Sequence, residues 1–312
     1  MTQIPKLIAT SVVRGSEKGQ SHGGVYLLDF ENQVAEQKID WNTGDIDFAG
    51  RGWDRGLRGI EFTDAEIWIA ASDELFCYDP EFRLIASYRN QYLRHCHEIY
   101  RRDNLLFLTS TAFDSLLTFD LESKSFNWGL YITRDGKKWL SQAFDPGTRR
   151  GPDFANSYHL NMVFVDADGI YFSGLNTSAL LAVSAMLDIE EYCSLPRGCH
   201  NARPFRSGVL FNDTGANAVR YVDRDGFESV IPVPGFDPKS LTHVNLDDSK
   251  IARQRFGRGL CVIDDNLVAA GSSPSTVSIV DLDKKERMAV VNLTMDIRNA
   301  IHGLEAWPAE WD

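Results

Sequence analysis

Six short phrases recur along this chain, each with a His or an Arg at the same place. They read GLRGIEF around Arg58, HCHEIYR around His97, SYHLNMVF around His159, GCHNARPF around His200, FGRGLCVID around Arg258 and AIHGLEAW around His302. Each phrase but the last is followed by three more strand-like runs. EIWIAAS, ELFCYD and RLIASYR follow Arg58; NLLFLTST, SLLTFDL and SFNWGLY follow His97. GIYFSG, ALLAVS and EEYCSL follow His159; GVLFND, AVRYVD and ESVIPV follow His200; NLVAAGS, TVSIVD and RMAVVNL follow Arg258. The runs are rich in β-branched and aromatic residues and are separated by Gly, Asp, Asn and Ser, as strands and their turns require. A period of about 40 residues built from four strands predicts a β-propeller. The third strands end in Asp at Asp29, Asp79, Asp120, Asp223 and Asp281.

The two ends of the chain fit one another. Residues 6–40 supply only three strands, KLIATSVV, GGVYLLDF and AEQKID, and the innermost strand that they lack is AIHGLEAW at 300–307. Pairing the last strand into the first blade leaves no open sheet edge. The sequence therefore predicts an all-β fold, a six-bladed β-propeller, with residues 1–312 as one domain. A β-sandwich or two small β domains is the alternative.

Spacing locates two insertions. Arg58 to His97 is 39 residues, His159 to His200 is 41 and Arg258 to His302 is 44, but His97 to His159 is 62 and His200 to Arg258 is 58. The extra residues fall at about 129–156 and 235–255, each before an innermost strand, where they are expected to cover the same mouth of the channel as lids. The first contains Tyr131, Trp139, Phe144, Arg149 and Arg150, which suits an ordered cover.

Charge and cysteine content exclude some classes of function. A net charge of -12 with no basic block argues against nucleic acid as a partner. Five cysteines without a CxxC pair argue against a disulfide framework. The N-terminus lacks a signal-peptide pattern, and no stretch reaches the roughly 18 apolar residues of a membrane span, so a cytoplasmic protein is expected.

Inner strands of a propeller line its channel and their side chains alternate. One repeated register would set six residues around the axis in the order His302, Arg58, His97, His159, His200 and Arg258. Four of the seven His in the chain fall at this register. Neutral imidazoles suit a divalent metal, and Arg suits an anion. His97, His159, His200 and His302 are accordingly the candidate metal ligands. Arg58 and Arg258 are the candidate clamp for a small anionic substrate, and His302 lies between them as a ligand or as an acid–base group. Glu61, Glu98 and Glu305 are placed to accept the second N–H of a ligand imidazole. Asn161 and Asn201 can orient a substrate or cap turns. Cys96 and Cys199 precede ring residues and are expected to point away from the channel. His22 is expected in an exposed turn, His95 beside the site or on the surface, and His243 in the second lid.

In repeat length and closure the chain resembles the six-bladed propellers that include gluconolactonases and NHL-type lyases. The ring His97, His159, His200 and His302 is similar in kind to that of the carotenoid cleavage oxygenases, whose axial iron is held by four His. Those enzymes have seven blades and apolar substrates, whereas Arg58 and Arg258 point to a polar anion. The resemblance implies a divalent metal, with Fe(II) favoured and Zn or Mn as alternatives. Non-haem iron oxidoreductase or oxygenase chemistry is the leading expectation. A Zn- or Mn-dependent lyase or hydrolase using His302 as acid and base is the second, and a non-catalytic interaction scaffold the third.

Overall fold

The computed structural model describes residues 4–16, 19–42, 56–244 and 253–311. Its strands appear in chain order as β1 (Leu7–Val13), β2 (Gly23–Asp29) and β3 (Val34–Asp40) in blade one, then β4 (Ile60–Phe62), β5 (Ile67–Ala71), β6 (Glu74–Tyr78) and β7 (Leu84–Arg89) in blade two. Blade three holds β8 (Ile99–Arg102), β9 (Leu105–Ser110), β10 (Ser115–Asp120), β11 (Ser125–Asp135) and β12 (Lys138–Phe144). Blade four holds β13 (Leu160–Val165), β14 (Ile170–Gly174), β15 (Ala179–Val183) and β16 (Ile189–Ser194). Blade five has β17 (His200–Phe205), β18 (Gly208–Asp213), β19 (Ala218–Asp223) and β20 (Glu228–Pro232). Blade six has β21 (Leu260–Val262), β22 (Leu267–Ser272), β23 (Thr276–Asp281) and β24 (Glu286–Asn292). The last strand, β25 (Asn299–Ala306), pairs with β1, so that blade one has the order β25-β1-β2-β3. Six antiparallel meanders of this kind make the chain a six-bladed β-propeller.

The blades group into two compact units, residues 1–58 with 204–312 and residues 59–203. Within each unit the middle strands of a blade are buried on both faces. β5, with the sequence IWIAA, is wholly buried, whereas the outer strand β20 alternates buried and exposed positions. In the first unit one core joins blades five and six through Leu210, Tyr221, Val268 and Val280, and another joins blades six and one through Ala269, Ile279, Leu28 and Ile301. In the second unit Trp68, Leu106 and Phe119 tie blades two and three, and Leu116, Leu130, Val163 and Phe172 tie blades three and four.

The Asp that ends or directly follows the third strand in five of the six blades has a local cause. Each carboxylate accepts backbone N–H groups of the turn that follows, from Asn32 to Asp29, Arg83 to Asp79, Ser123 to Asp120, Phe227 to Asp223 and Lys284 to Asp281. This is the Asx-turn chemistry that favours Asp in tight connections. The amides of Ser123 and Glu122 hold the Asp120 carboxyl below the usual range.

The pairing of β25 with β1 runs from Leu7 opposite Ala306 to Val13 opposite Asn299, with an irregularity between Ala9 and Ser11. There the Thr10 hydroxyl accepts from the Gly303 amide at 2.8 Å and donates to the Arg58 carbonyl at 2.5 Å. A Cβ on residue 303 would lie 2.1 Å from that carbonyl, so only glycine allows this approach.

The first insertion departs from the expected lid. β11 runs on to Asp135, and β12 pairs with it as a fifth, outermost strand of blade three. KWLSQAF pairs with β11 without a break, from Lys138 opposite Asp135 to Phe144 opposite Gly129, so the extra residues form a strand. Only the following segment reaches back over the blade edge. Asn90 Nδ2 donates to the Pro146 carbonyl at 3.1 Å, and the Ala155 amide to the Ala112 carbonyl at 3.0 Å. In the second insertion a short 3-10 turn spans Pro238–Ser240 and Thr242 bridges to Asp296, while residues 245–252 lie outside the described residues.

All five cysteines are thiols, and Cys77, Cys96, Cys199 and Cys261 are buried. Burial, with Glu66 nearby, pushes the Cys77 thiol up to about 12. Among the described residues no helix is long and apolar enough to cross a membrane.

Deletion of residues 301–312 removes most of β25 and leaves the inner edge of β1 unpaired. The truncated chain is expected to be insoluble on expression, as measured by the soluble fraction and by circular dichroism. A soluble, cooperatively folding truncate would contradict the closure.

Candidate functional site

In the first unit the structure brings together Arg58, Arg258 and His302. Arg58 and His302 are buried, at 4% and 5% exposure. Arg258 Nη1 lies 2.6 Å from His302 Nε2, and His302 Nδ1 lies 3.1 Å from the Ala300 carbonyl. A guanidinium can only donate. Nε2 therefore accepts, and the ring proton sits on Nδ1 and goes to Ala300. Burial first, then the charges of Arg258, Arg58 and Arg14, hold the His302 pKa well below 6.5. The imidazole is thus kept neutral in a strongly positive surrounding. Arg14, at the turn after β1, is a member of this cluster that the repeat gave no means of finding.

In the second unit the rings of His97 and His159 lie 5.2 Å apart, with their planes at 57°. His159 Nδ1 is 3.0 Å from Asn156 Oδ1, so that Nδ1 carries a proton and donates it to that oxygen. The backbone leading into His159 is fixed by a carboxylate. Asp114 Oδ2 accepts from the Ser157 amide at 2.6 Å, and Oδ1 accepts from the amides of Tyr158 and His159 at 2.9 and 3.3 Å. Asp114 is buried, and that desolvation raises its pKa against the opposing effect of the three amides. Glu98 Oε2 accepts from Asn201 Nδ2 at 2.7 Å, so a side chain of blade three is joined to one of blade five. Asn161 Nδ2 donates to the Cys199 carbonyl at 3.3 Å, and His200 is buried.

The expected common register breaks in blade four. The carbonyl of the residue after Arg58, His97 and Arg258 accepts from the second strand, in the bonds Ala70 to Gly59, Thr109 to Glu98 and Gly271 to Gly259. In blade four the accepting carbonyl is that of His159 itself, from Leu175. His159 also takes the left-handed conformation, at φ 54°, that Asn201 (54°) and Gly259 (77°) take one residue after their ring positions. The cause is a bulge, since Leu160 pairs with Gly174 and Met162 with Ser173, leaving Asn161 as an extra residue.

The remaining candidates are dispersed. Glu61 and Glu305 lie half-buried in β4 and β25. Cys96 is packed in the core between blades two and three. His22, expected in an exposed turn, is 1% exposed, with Nδ1 2.8 Å from Ser16 Oγ. The turn folds inward because the His22 amide donates to the Trp41 carbonyl and its own carbonyl accepts from Val13. His95 is likewise buried, edge-on to Phe154 with ring centroids 6.5 Å apart, and not on the surface. His243 is exposed and lies 3.3 Å from an Asp296 oxygen.

No protein-family model and no curated protein matches the chain. Solved structures do. The crystal structure of a nidogen/laminin complex is 10% identical with a TM-score of 0.58, covering 97% of this chain and 99% of that one. A protein of unknown function from Bacteroides caccae is 10% identical with a TM-score of 0.57, covering 97% and 98%. A streptogramin B lyase structure gives a fainter likeness, with a TM-score of 0.44 at 13% identity over 73% and 70%. The first two support the propeller fold across nearly the whole chain. At these identities the likeness is one of fold, and the chemistry has to be read from the side chains.

His302 has a folded-state pKa below its unfolded value. Its contribution to stability is complete above about pH 6.5 and is lost as the pH falls through the folded value. Nitrogen chemical shifts at about pH 6 are expected to show His302 as the neutral Nδ1–H tautomer. On acidification from neutral pH, Tm should fall more steeply in the wild type than in His302→Gln. A ring that titrates at or above 6.5 would refute the assignment.

Proposed function

We propose that this propeller is an enzyme acting on a small anionic substrate by acid–base chemistry, of the lyase or hydrolase class, with His302 as the proton acceptor and Arg58 and Arg258 as the anion clamp. The observation that carries the reading is the 2.6 Å contact between Arg258 and the buried, neutral His302. A base must be unprotonated before it works, and burial beside guanidiniums keeps His302 so at neutral pH. The Ala300 carbonyl fixes the tautomer that directs Nε2 at Arg258.

The arrangement couples binding to proton transfer. With no anion present, the nearby positive charges oppose a proton on His302. An oxyanion held by Arg58 and Arg258 offsets those charges and raises the proton affinity of the imidazole. It also draws donors of Arg258 toward itself, which exposes the Nε2 lone pair to a substrate C–H, O–H or water proton. His302 thereby becomes an effective base only when the substrate is in place.

The test is turnover of a mixture of small organic acids and phosphate esters, followed by mass spectrometry of products. Wild-type protein is expected to consume at least one component. His302→Gln should retain binding and lose about 100-fold or more in rate, the usual scale for a general base. An Arg58→Ala, Arg258→Ala protein should lose binding, at roughly 1.5–3 kcal/mol for each charged hydrogen bond removed. Turnover unchanged in His302→Gln would refute the assignment of the base.

A metal-dependent reading, with iron, zinc or manganese, is supported by the His97–His159 pair and by the tautomer that Asn156 sets on His159. Two imidazoles make an incomplete donor set. Among the described residues no group of three or more His, Cys, Asp or Glu side chains is disposed to hold one ion. Both nitrogens of His302 are engaged, by Arg258 and Ala300. Elemental analysis of protein purified without chelator or His-tag decides this reading. Stoichiometric metal that is lost in His97→Ala and in His159→Ala would establish it, and metal-free protein with full turnover would eliminate it.

A further inference from the structure

The chain beyond β12 encloses a cavity in the second unit. After Phe144 it turns at Asp145, whose Oδ1 accepts from the Gly147 amide at 2.8 Å. The segment that follows is fixed along its length. Asn90 Nδ2 donates to the Pro146 carbonyl at 3.1 Å, and Gln91 Nε2 to the Thr148 carbonyl at 2.6 Å. The Gly151 amide donates to the Tyr92 hydroxyl at 2.7 Å, and the Ala155 amide to the Ala112 carbonyl at 3.0 Å. A Cβ on residue 151 would lie 2.5 Å from Tyr92 Cζ, so only glycine lets the backbone lie against that ring. Held in this way, the segment lines a cavity of about 300 Å³ together with β11 and β12. The cavity is formed by the fold itself, as is usual for small-molecule sites.

Its lining combines rings with opposite charges. Tyr131, Phe144 and Phe154 supply aromatic surface. Phe144 stands edge-on to Tyr92 and Phe154 edge-on to Phe113, with ring centroids 5.1 and 6.2 Å apart. Phe154 is nonetheless 56% exposed, so it has apolar surface left to cover. Arg150 and Asp153 also line the cavity. Among the described residues neither side chain makes a hydrogen bond or ion pair, with the other or with a third group. Gln142 adds an amide that can both donate and accept.

This lining narrows the ligand. A volume at the small end of ligand pockets suits a molecule of amino-acid size. A simple carboxylate would gain Arg150 but be repelled by Asp153, and a simple ammonium would meet the reverse. A molecule with both charges and an apolar body uses every group. We propose that the second unit binds a free α-amino acid with an aromatic or large aliphatic side chain. Its carboxylate pairs with Arg150, its ammonium with Asp153, and its side chain lies among Tyr131, Phe144 and Phe154. The site uses no residue of the first unit and does not depend on the acid–base reading above.

Ligand-observed NMR titration of the full chain at fixed ionic strength tests the proposal with L-phenylalanine, 3-phenylpropionate, phenethylamine and L-alanine. The last three lack the ammonium, the carboxylate and the ring in turn. L-Phenylalanine is expected to bind at least about fivefold more tightly than each of them, the scale of one charge pair or ring contact in a partly open site. Asp153→Asn should erase its preference over 3-phenylpropionate and keep that over phenethylamine, and Arg150→Gln should do the converse. Both residues are exposed, so neither substitution threatens the fold. 3-Phenylpropionate binding as tightly as L-phenylalanine would overturn the proposal in favour of an aromatic acid, and phenethylamine doing so would overturn it in favour of a cation. L-Alanine binding as tightly would remove the rings from the site. Preferences that survive both substitutions would place the binding elsewhere, and no binding by any of the four would overturn the site outright.

Discussion

The pairing of β25 with β1 is the interaction on which the first unit depends. It joins the last strand of the chain to the first and completes blade one from the inside. The same pairing positions the chemistry. His302 is carried by β25, Arg14 follows β1, and Thr10 at the irregularity in their ladder holds the Arg58 carbonyl. Gly303 makes this approach possible by having no side chain. Closure and site assembly are therefore one event in this unit, since a chain that fails to seat its final strand also fails to bring His302 among the arginines.

The electrostatic consequence is unusual for an acidic protein. Surface carboxylates do ordinary work here, holding turn amides at the ends of third strands or pairing with exposed Arg and Lys. Positive charge is concentrated instead around a buried neutral ring. Desolvation disfavours a charged imidazole, and neighbouring guanidiniums disfavour it further, so both effects act in the same direction on His302. An anion reverses the second effect without altering the first. A buried imidazole in such surroundings would therefore gain proton affinity from a nearby anion while remaining desolvated.

Much of the fold was legible because its determinants are local and repeated. Short β-branched runs, turn residues and a period near 40 residues specify four-stranded meanders, and the shortage of one strand near the N-terminus pointed to β25. The features that escaped arise where the backbone departs from the repeat. A one-residue bulge at Asn161 shifts His159 in the ladder without changing the composition of its phrase. The fifth strand of blade three hid inside a length anomaly, because KWLSQAF shows neither the period-2 alternation nor the continuous apolar run that marks a strand. His22 looked exposed because it follows Gly and Ser, but its burial is set by amide pairing with Trp41, which lies far along the chain. Arg14 lies outside every repeated phrase, and only three-dimensional proximity connects it to Phe256, the first residue of the phrase around Arg258.

The second unit shows how a polar cluster is fixed by groups that a motif search would pass over. Asp114 carries no repeated signature, and it sits in a left-handed turn at φ 44°. Its carboxylate nevertheless takes three consecutive amides and so sets the conformation from which His159 projects. Without that acceptor, three donors at the entrance to β13 would need other partners, at a cost of about 1–3 kcal/mol for each one left buried and unsatisfied. The Glu98–Asn201 bond then ties the residue after His97 to the residue after His200. The backbone around these imidazoles is thus held from behind, by a buried carboxylate and an amide–carboxylate bridge.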